Sequence, residues 1–200
     1  MPLNYNIFQL SAILILLFFY TIYMGKMILQ RRKGIKTDQI ARGKKSKELF
    51  STEIVMKIAT YSIVAVELLC VFMNMTLSYT PMRIAGAILG IIGVIIFGIA
   101  VYTMKDSWRA GIPESDKTEL VTKGIFKISR NPAFLAFDLV YIGVLLMFFN
   151  WVLLAFTVWG VIMLHLQIMQ EEKFLSRTFG EAYLRYQKCT KRYLGKRKTN

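Results

Sequence analysis

The chain has 200 residues, 55% of them hydrophobic, with 26 Lys and Arg against 12 Asp and Glu and a net charge of +14. The apolar residues gather in long blocks, which excludes an ordinary soluble domain, and the positive charge gathers in the connections and the tail, which argues against a nucleic-acid surface. Two cysteines (Cys70 and Cys189) with no C-x-x-C pair, and a single histidine (His165), imply neither a disulfide nor a structural metal.

In chain order, the blocks 7–23, 54–75, 84–104, 132–149 and 151–168 each approach the roughly 18–20 residues that a membrane-spanning helix needs. The first has no basic residue before it and no small-residue cleavage site after it, so it reads as a retained span rather than a secretory signal. The connection that follows carries Lys26, Arg31, Arg32, Lys33, Lys36, Arg42, Lys44, Lys45 and Lys47, and reads as a solvated loop or one resting on lipid headgroups. "TLSYTP" joins the second and third blocks. The next long connection, "KDSWRAGIPESDKTELVTKGIFKISRNP", mixes Lys105, Arg109, Lys117, Lys123, Lys127 and Arg130 with acidic residues, Trp108 and apolar pairs, so it is expected to fold over something. Phe149-Asn150-Trp151 predicts a tight helical turn with an interfacial tryptophan. The tail adds Lys173, Arg177, Arg185, Lys188, Lys191, Arg192, Lys196, Arg197 and Lys198. With five spans all basic segments fall on one side, which the positive-inside rule makes cytosolic and which leaves the N-terminus outside.

The residues with chemical potential cluster on that basic side. Asn131 is suited to an N-cap and Pro132 to a first helical turn, whose free N–H groups and positive dipole end favour a carboxylate or phosphate. Glu171 and Glu172 at the end of the last span oppose the helix dipole and call for a cationic residue or ligand nearby. Phe174, Leu175, Phe179, Tyr183 and Tyr186 recur at helical spacing and predict an amphipathic helix that covers the connection before residue 132. Two carboxylates fall inside spans, where a charge costs about 2.5–3.5 kcal/mol. Asp138 stands about 9 Å into its helix, at the depth of His165, so it can meet either that histidine or a ligand. Glu67, about 20 Å in, has no assigned role.

Two segments carry a family resemblance. "LVTKGIFKISRNPAFLAFD" resembles the L-V-x-x-G-x-Y-x-x-x-R-H-P-x-Y segment of the isoprenylcysteine carboxyl methyltransferase and phospholipid methyltransferase superfamily. "EEKFLSRTFGEAYLRYQKCTKRYL" is similar to its closing E-E-x-x-L-x-x-x-F-G-x-x-Y-x-x-Y segment, and "SWRAGI" to a Trp-containing element of bacterial members. The match runs over roughly 106–194. It implies an all-α integral membrane methyltransferase with five transmembrane helices, a cytosolic loop that binds S-adenosylmethionine, and a C-terminal amphipathic helix. The division is then 1–104, three helices with a basic loop at 26–53, and 105–200, the methyltransferase core. That core comprises the loop 105–131, a helical hairpin 132–170 and the amphipathic segment 171–200.

Carried across, the cofactor residues are Lys123, Gly124, Phe126, Arg130, Asn131, Pro132 and Phe134, closed by Glu171 and Glu172. Arg109, which would orient an acidic acceptor group, forms the expected catalytic set with Asp138 and Glu172. Asn131 stands where the family usually has His, so that position cannot act as a base, and Phe134 replaces the usual Tyr. The glutamates suit the ammonium of the cofactor, Arg130 or helix N–H groups its carboxylate, and Phe126, Phe134 and Phe179 its adenosine. The acceptor is expected to be lipophilic and to enter sideways from membrane lipid: a prenylcysteine carboxylate (free or on a protein), a phospholipid amine, or an isoprenoid or quinone-like oxygen. An NADPH-dependent membrane reductase of the sterol reductase class and a non-catalytic multi-pass protein are the alternatives, and no nucleic-acid partner is expected.

Overall fold

Length and capping residues decide where the helices begin and end. A computed structural model describes residues 6–112 and 118–196, so Lys117, Arg197 and Lys198 lie outside the described residues. Within them the chain forms α1 (Ile7–Arg32), α2 (Lys47–Phe72), α3 (Thr80–Met104), α4 (Pro132–Met147) and α5 (Trp151–Cys189). Short 3-10 turns stand at Lys105–Ser107 and Gly124–Lys127. Asn6 and Gln9 form a reciprocal capping box on α1, Ser46 accepts from Leu49 N–H on α2, and Asn150 accepts from Leu153 N–H on α5.

Of the five expected spans, α1, α2, α3 and α5 are long and apolar enough to cross a membrane, whereas α4 has only 16 residues. At about 1.5 Å per residue α4 is about 24 Å long, short of the bilayer's hydrocarbon core of about 30 Å. It ends at Phe148, and the chain turns through 148–150 straight into α5. That turn is tied down by Leu77 N–H donating to Phe149 O at 2.7 Å and Phe149 N–H to Ser78 Oγ at 3.0 Å. Trp151 is exposed beside it. The outer face of α3 presents Ile84, Ile88, Ile91, Ile95 and Ile99 at three- and four-residue spacing, all exposed, a stripe that a lipid environment covers. The protein is an integral membrane protein built from helices.

α4 lies in tight contact with α3, where Gly86, Gly90 and Gly93 face Gly143, Ala136 and Val140. Small residues let the two backbones approach, as they do between helices in lipid. Around this seam Phe19, Tyr23, Phe97, Trp108 and Phe137 form an aromatic cluster with ring centroids 4.5–6.4 Å apart. α2 packs on the opposite side, against α5 and Tyr141. The long helix α5 continues beyond its apolar part, which ends at Ile168, and kinks at Gly180, whose φ of 49° departs from helical values. The polar stretch that follows, with Gln170, Glu171, Glu172 and Lys173, stands past that apolar part.

The basic connection 33–46 departs from the solvated loop expected of its composition. Thr37 donates to Gln30 Oε1 at 2.7 Å, and Gln30 Nε2 donates on to Trp108 O at 3.2 Å. Ala110 N–H donates to Thr37 O, and Gln39 N–H to Ala110 O, so the two long connections pair through their main chains. Lys45 is buried against Glu53 at 2.6 Å, and Glu53 also accepts from Ala41 N–H and Ile112 N–H. One carboxylate on α2 thus holds both connections. Glu53→Ala is expected to free the first of them, and limited trypsin digestion should then cut after Arg42, Lys44 or Lys45 at a protein concentration that leaves the parent chain intact.

Candidate active site

At the basic end the second connection, the start of α4 and the last third of α5 enclose a cavity of about 860 Å³ counted to its open mouth. Phe126, Phe134, Tyr183 and Tyr186 supply aromatic walls, and Glu171 an acidic one. Tyr186 O–H donates to Phe126 O at 2.6 Å, which fixes the 3-10 turn against α5. Asn131 occupies the N-cap position of α4, yet its side chain caps nothing. The first-turn residues Pro132, Ala133 and Phe134 line the cavity, so the positive end of α4 opens into it.

Behind this wall is a carboxylate clamp. Glu172 accepts from Arg130 Nε and Nη2 (3.1 and 2.7 Å), from Asn131 Nδ2 (3.2 Å), and from Arg192 Nε and Nη2 (3.1 and 2.8 Å). Arg130 also donates to Thr190 O at 2.6 Å, and Asn131 Nδ2 to Arg192 O. The tail turn 190–196, closed by a bridge between Thr190 and Lys196, crosses the start of α4, with Arg130 N–H on Lys191 O and Asn131 N–H on Arg192 O. Burial raises the Glu172 carboxyl, but the hydrogen bonds from Arg192 and Arg130 outweigh it and hold the group below its ordinary value. Glu171 lacks such partners. Burial pushes its carboxyl up to about 7, opposed by a hydrogen bond from Gln167 Nε2.

A second cavity, of about 1,050 Å³ to its mouth, lies among α1, α2, α4 and α5 and is lined largely by Tyr20, Tyr23, Met56, Tyr61, Phe137 and Tyr141. The two cavities share a wall of Trp108, Arg109, Gly111, Ala133 and Phe134. Gly111 is required there: at φ +85° a Cβ would come within 2.7 Å of Ile40 N. A groove between α1 and α2, open to the lipid-facing surface, shares Tyr20, Met24 and Val64 with the second cavity.

A family model described as phospholipid methyltransferase matches residues 81–182, just over half of the chain. The chain belongs to the phospholipid methyltransferase family. The family falls within the wider isoprenylcysteine and phospholipid membrane methyltransferase superfamily, as the motifs suggested. A search of curated proteins found no match.

In this family member the residues expected at the site divide into four groups. Arg109, Phe126, Arg130, Asn131, Pro132, Phe134 and Glu171 line the first cavity. Glu172 stands behind its wall with both oxygens engaged, and Lys123 and Gly124 are exposed at the start of the 3-10 turn rather than in the lining. Asp138 lines neither cavity. Of the two partners open to Asp138, His165 is bonded elsewhere: its Nδ1 and Tyr193 O–H share a hydrogen bond of 2.7 Å, and Asp138 Oδ1 is buried without a hydrogen-bond partner among the described residues. The Tyr193 phenol is raised by burial first and then by the charge of Asp138. Sequence reasoning missed Arg192 as the second cation on Glu172, and missed the whole second cavity. Tyr20 and Tyr23, one helical turn apart within an apolar span, were the available signal for the latter.

Proposed function

We propose that the protein is an S-adenosylmethionine-dependent methyltransferase whose acceptor is a lipophilic molecule drawn sideways from the bilayer. The observation that carries this reading is the pair of cavities with one shared wall, a polar-ended cavity beyond the span and an apolar one within it. The first suits the cofactor on the chemistry of its donors. Glu171 would hold the ammonium, the uncapped start of α4 the carboxylate, and Phe126, Phe134, Tyr183 and Tyr186 would cover the adenosine. Arg130 is spent on Glu172 and Thr190, so the helix amides take the anion-binding role that the sequence left open between them and the arginine.

The cofactor supplies an activated methyl group, and the chain supplies position and dryness. Arg109 lies on the shared wall and orients an acidic or polar acceptor group, while Trp108 and Phe134 keep water from the junction. Asn131 offers no base, which suits a transfer that alignment accelerates. The acceptor enters the apolar cavity from the bilayer, and the basic connections, read by the positive-inside rule, support a cytosolic first cavity.

Calorimetry with S-adenosylhomocysteine tests the reading. Binding is expected, weakened by Asn131→Ala and by Glu171→Gln. Because the Glu171 carboxyl sits at about 7, its charge, and with it the ammonium contact, grows as pH rises through that value. Affinity should therefore increase from pH 6 to pH 8 in the parent chain and stay flat in Glu171→Gln. Binding of NADPH in place of S-adenosylhomocysteine would sink the proposal.

A further inference from the structure

A third recess lies at the basic end, between the last turns of α1 and the connection 33–46. Its floor is Met24, Met27 and Ile28, and its rim carries Arg31, Lys36 and Arg42. It is continuous with two features already described. It shares Met24, Met27 and Asp38 with the apolar cavity, and Met24 with the groove between α1 and α2.

The charges in this region are not interchangeable. Lys33 is paired with Asp106 at 2.9 Å and Lys45 with Glu53 at 2.6 Å. Asp38, the one carboxylate among the lining residues, pairs with Arg42 at 2.9 Å. Among the described residues Arg31 and Lys36 have no ion-pair partner, so the recess keeps a net positive rim. The rim is also built rather than loose. Thr37 is bonded to Gln30, the main chain at 37–39 pairs with Ala110, and Glu53 anchors Ala41 and Lys45. Side chains grown from Gly34 or Gly43 would meet nothing within 4 Å, which leaves the mouth open.

Length selects the ligand. From Leu17 in the groove to Arg31 on the rim the helix rises about 21 Å. From the midplane of a bilayer to the outer edge of its headgroup region is about 20–22 Å. We infer that the recess and groove together bind one anionic phospholipid, its phosphate at Arg31 and Lys36 beside the Asp38–Arg42 pair, its acyl chains along Leu16, Leu17, Val64 and Leu68. None of these rim cations lines either cavity, although the recess adjoins the apolar one through Met24, Met27 and Asp38.

The full-length protein in detergent, titrated with phosphatidylglycerol, phosphatidylcholine and glycerol phosphate and read by native mass spectrometry, tests this. Phosphatidylglycerol is expected to be retained in preference to the other two. Arg31→Gln with Lys36→Gln should lower that retention about 25-fold, a factor of about five for each cation. Lys173→Gln with Arg177→Gln, equally basic and exposed on α5, should leave it unchanged. Equal retention of phosphatidylcholine, or an equal loss in the α5 variant, would overturn the proposal by making the binding unselective or the charge effect diffuse. Glycerol phosphate bound as tightly as the lipid would also overturn it, by showing a phosphate site rather than a lipid site. If the double variant does not fold, a phosphatidylglycerol with a photoreactive headgroup on the parent chain decides the matter. Labelling within residues 24–43 is expected, and labelling confined to the tail refutes the site.

Discussion

Glu172→Ala is expected to cost about 3–5 kcal/mol of stability, because it strands one buried guanidinium and loosens another. The Arg130 side chain is only 5% exposed, and Glu172 is the only carboxylate on it among the described ion pairs. Arg192, at 32%, can turn to solvent, so most of the cost falls on Arg130. The tail turn 190–196 should detach, since Arg130 and Asn131 hold it through both main chain and side chain. Hydrogen exchange at 190–196 and thermal unfolding read the two effects. Affinity for S-adenosylhomocysteine should fall as well, because Arg130 and Asn131 line the cavity. The Glu172 carboxyl is depressed, so its contribution is present above the unfolded carboxylate value and is lost as pH falls through the lower, folded one. Acid should therefore mimic the substitution. Glu171→Gln gives the contrast: weaker binding with unfolding temperature and tail protection unchanged. A Glu172→Ala protein that kept both, yet bound no cofactor, would return Glu172 to the direct ammonium contact that its motif suggests.

That contrast marks what could be read from the chain alone. Apolar blocks and one-sided basic segments made the helices and the basic end legible, because both are local in sequence. The aromatic and acidic residues of the first cavity were legible for the same reason, lying in two short runs around 120–134 and 171–186. Partner choice was not. Glu172 meets Arg130, 42 residues away, and Arg192, 20 residues away, and nothing in composition ranks those above the other basic residues of the region. Lys45 likewise looks like any lysine in a basic run until α2 brings Glu53 beneath it. The length of α4 was also misjudged, since Phe148 and Phe149 are apolar enough to extend a span but belong to the turn. The second cavity is a property of four helices diverging around tyrosines, and only packing reveals such a gap.

Gly143→Ala is the substitution expected to harm the site most from a distance. A Cβ on Gly143 would lie 2.7 Å from Gly90 N and 2.8 Å from Gly86 O, both main-chain atoms that no rotamer change can move. Helix propensity favours alanine by about 0.8–1.0 kcal/mol, whereas forcing α3 and α4 apart costs about 1–3 kcal/mol or more. The clash wins. Its consequence travels along a rigid element, because α4 begins with Pro132, Ala133 and Phe134 in the first cavity, and Ala133 and Phe134 also form part of the shared wall. A misplacement of about 1 Å at reacting groups can cost about a hundredfold in rate, so methyl transfer to any acceptor should drop by about that factor in protein that still folds. Gly160→Ala is the matched control. Its Cβ would sit 3.6 Å from Ile63 and 3.7 Å from Tyr141, ordinary contacts with side chains, so the propensity gain should prevail and the unfolding temperature hold or rise. If both substitutions behaved alike, whether harmful or harmless, the α3–α4 glycine seam would lose its claim to set the position of the wall between the cavities.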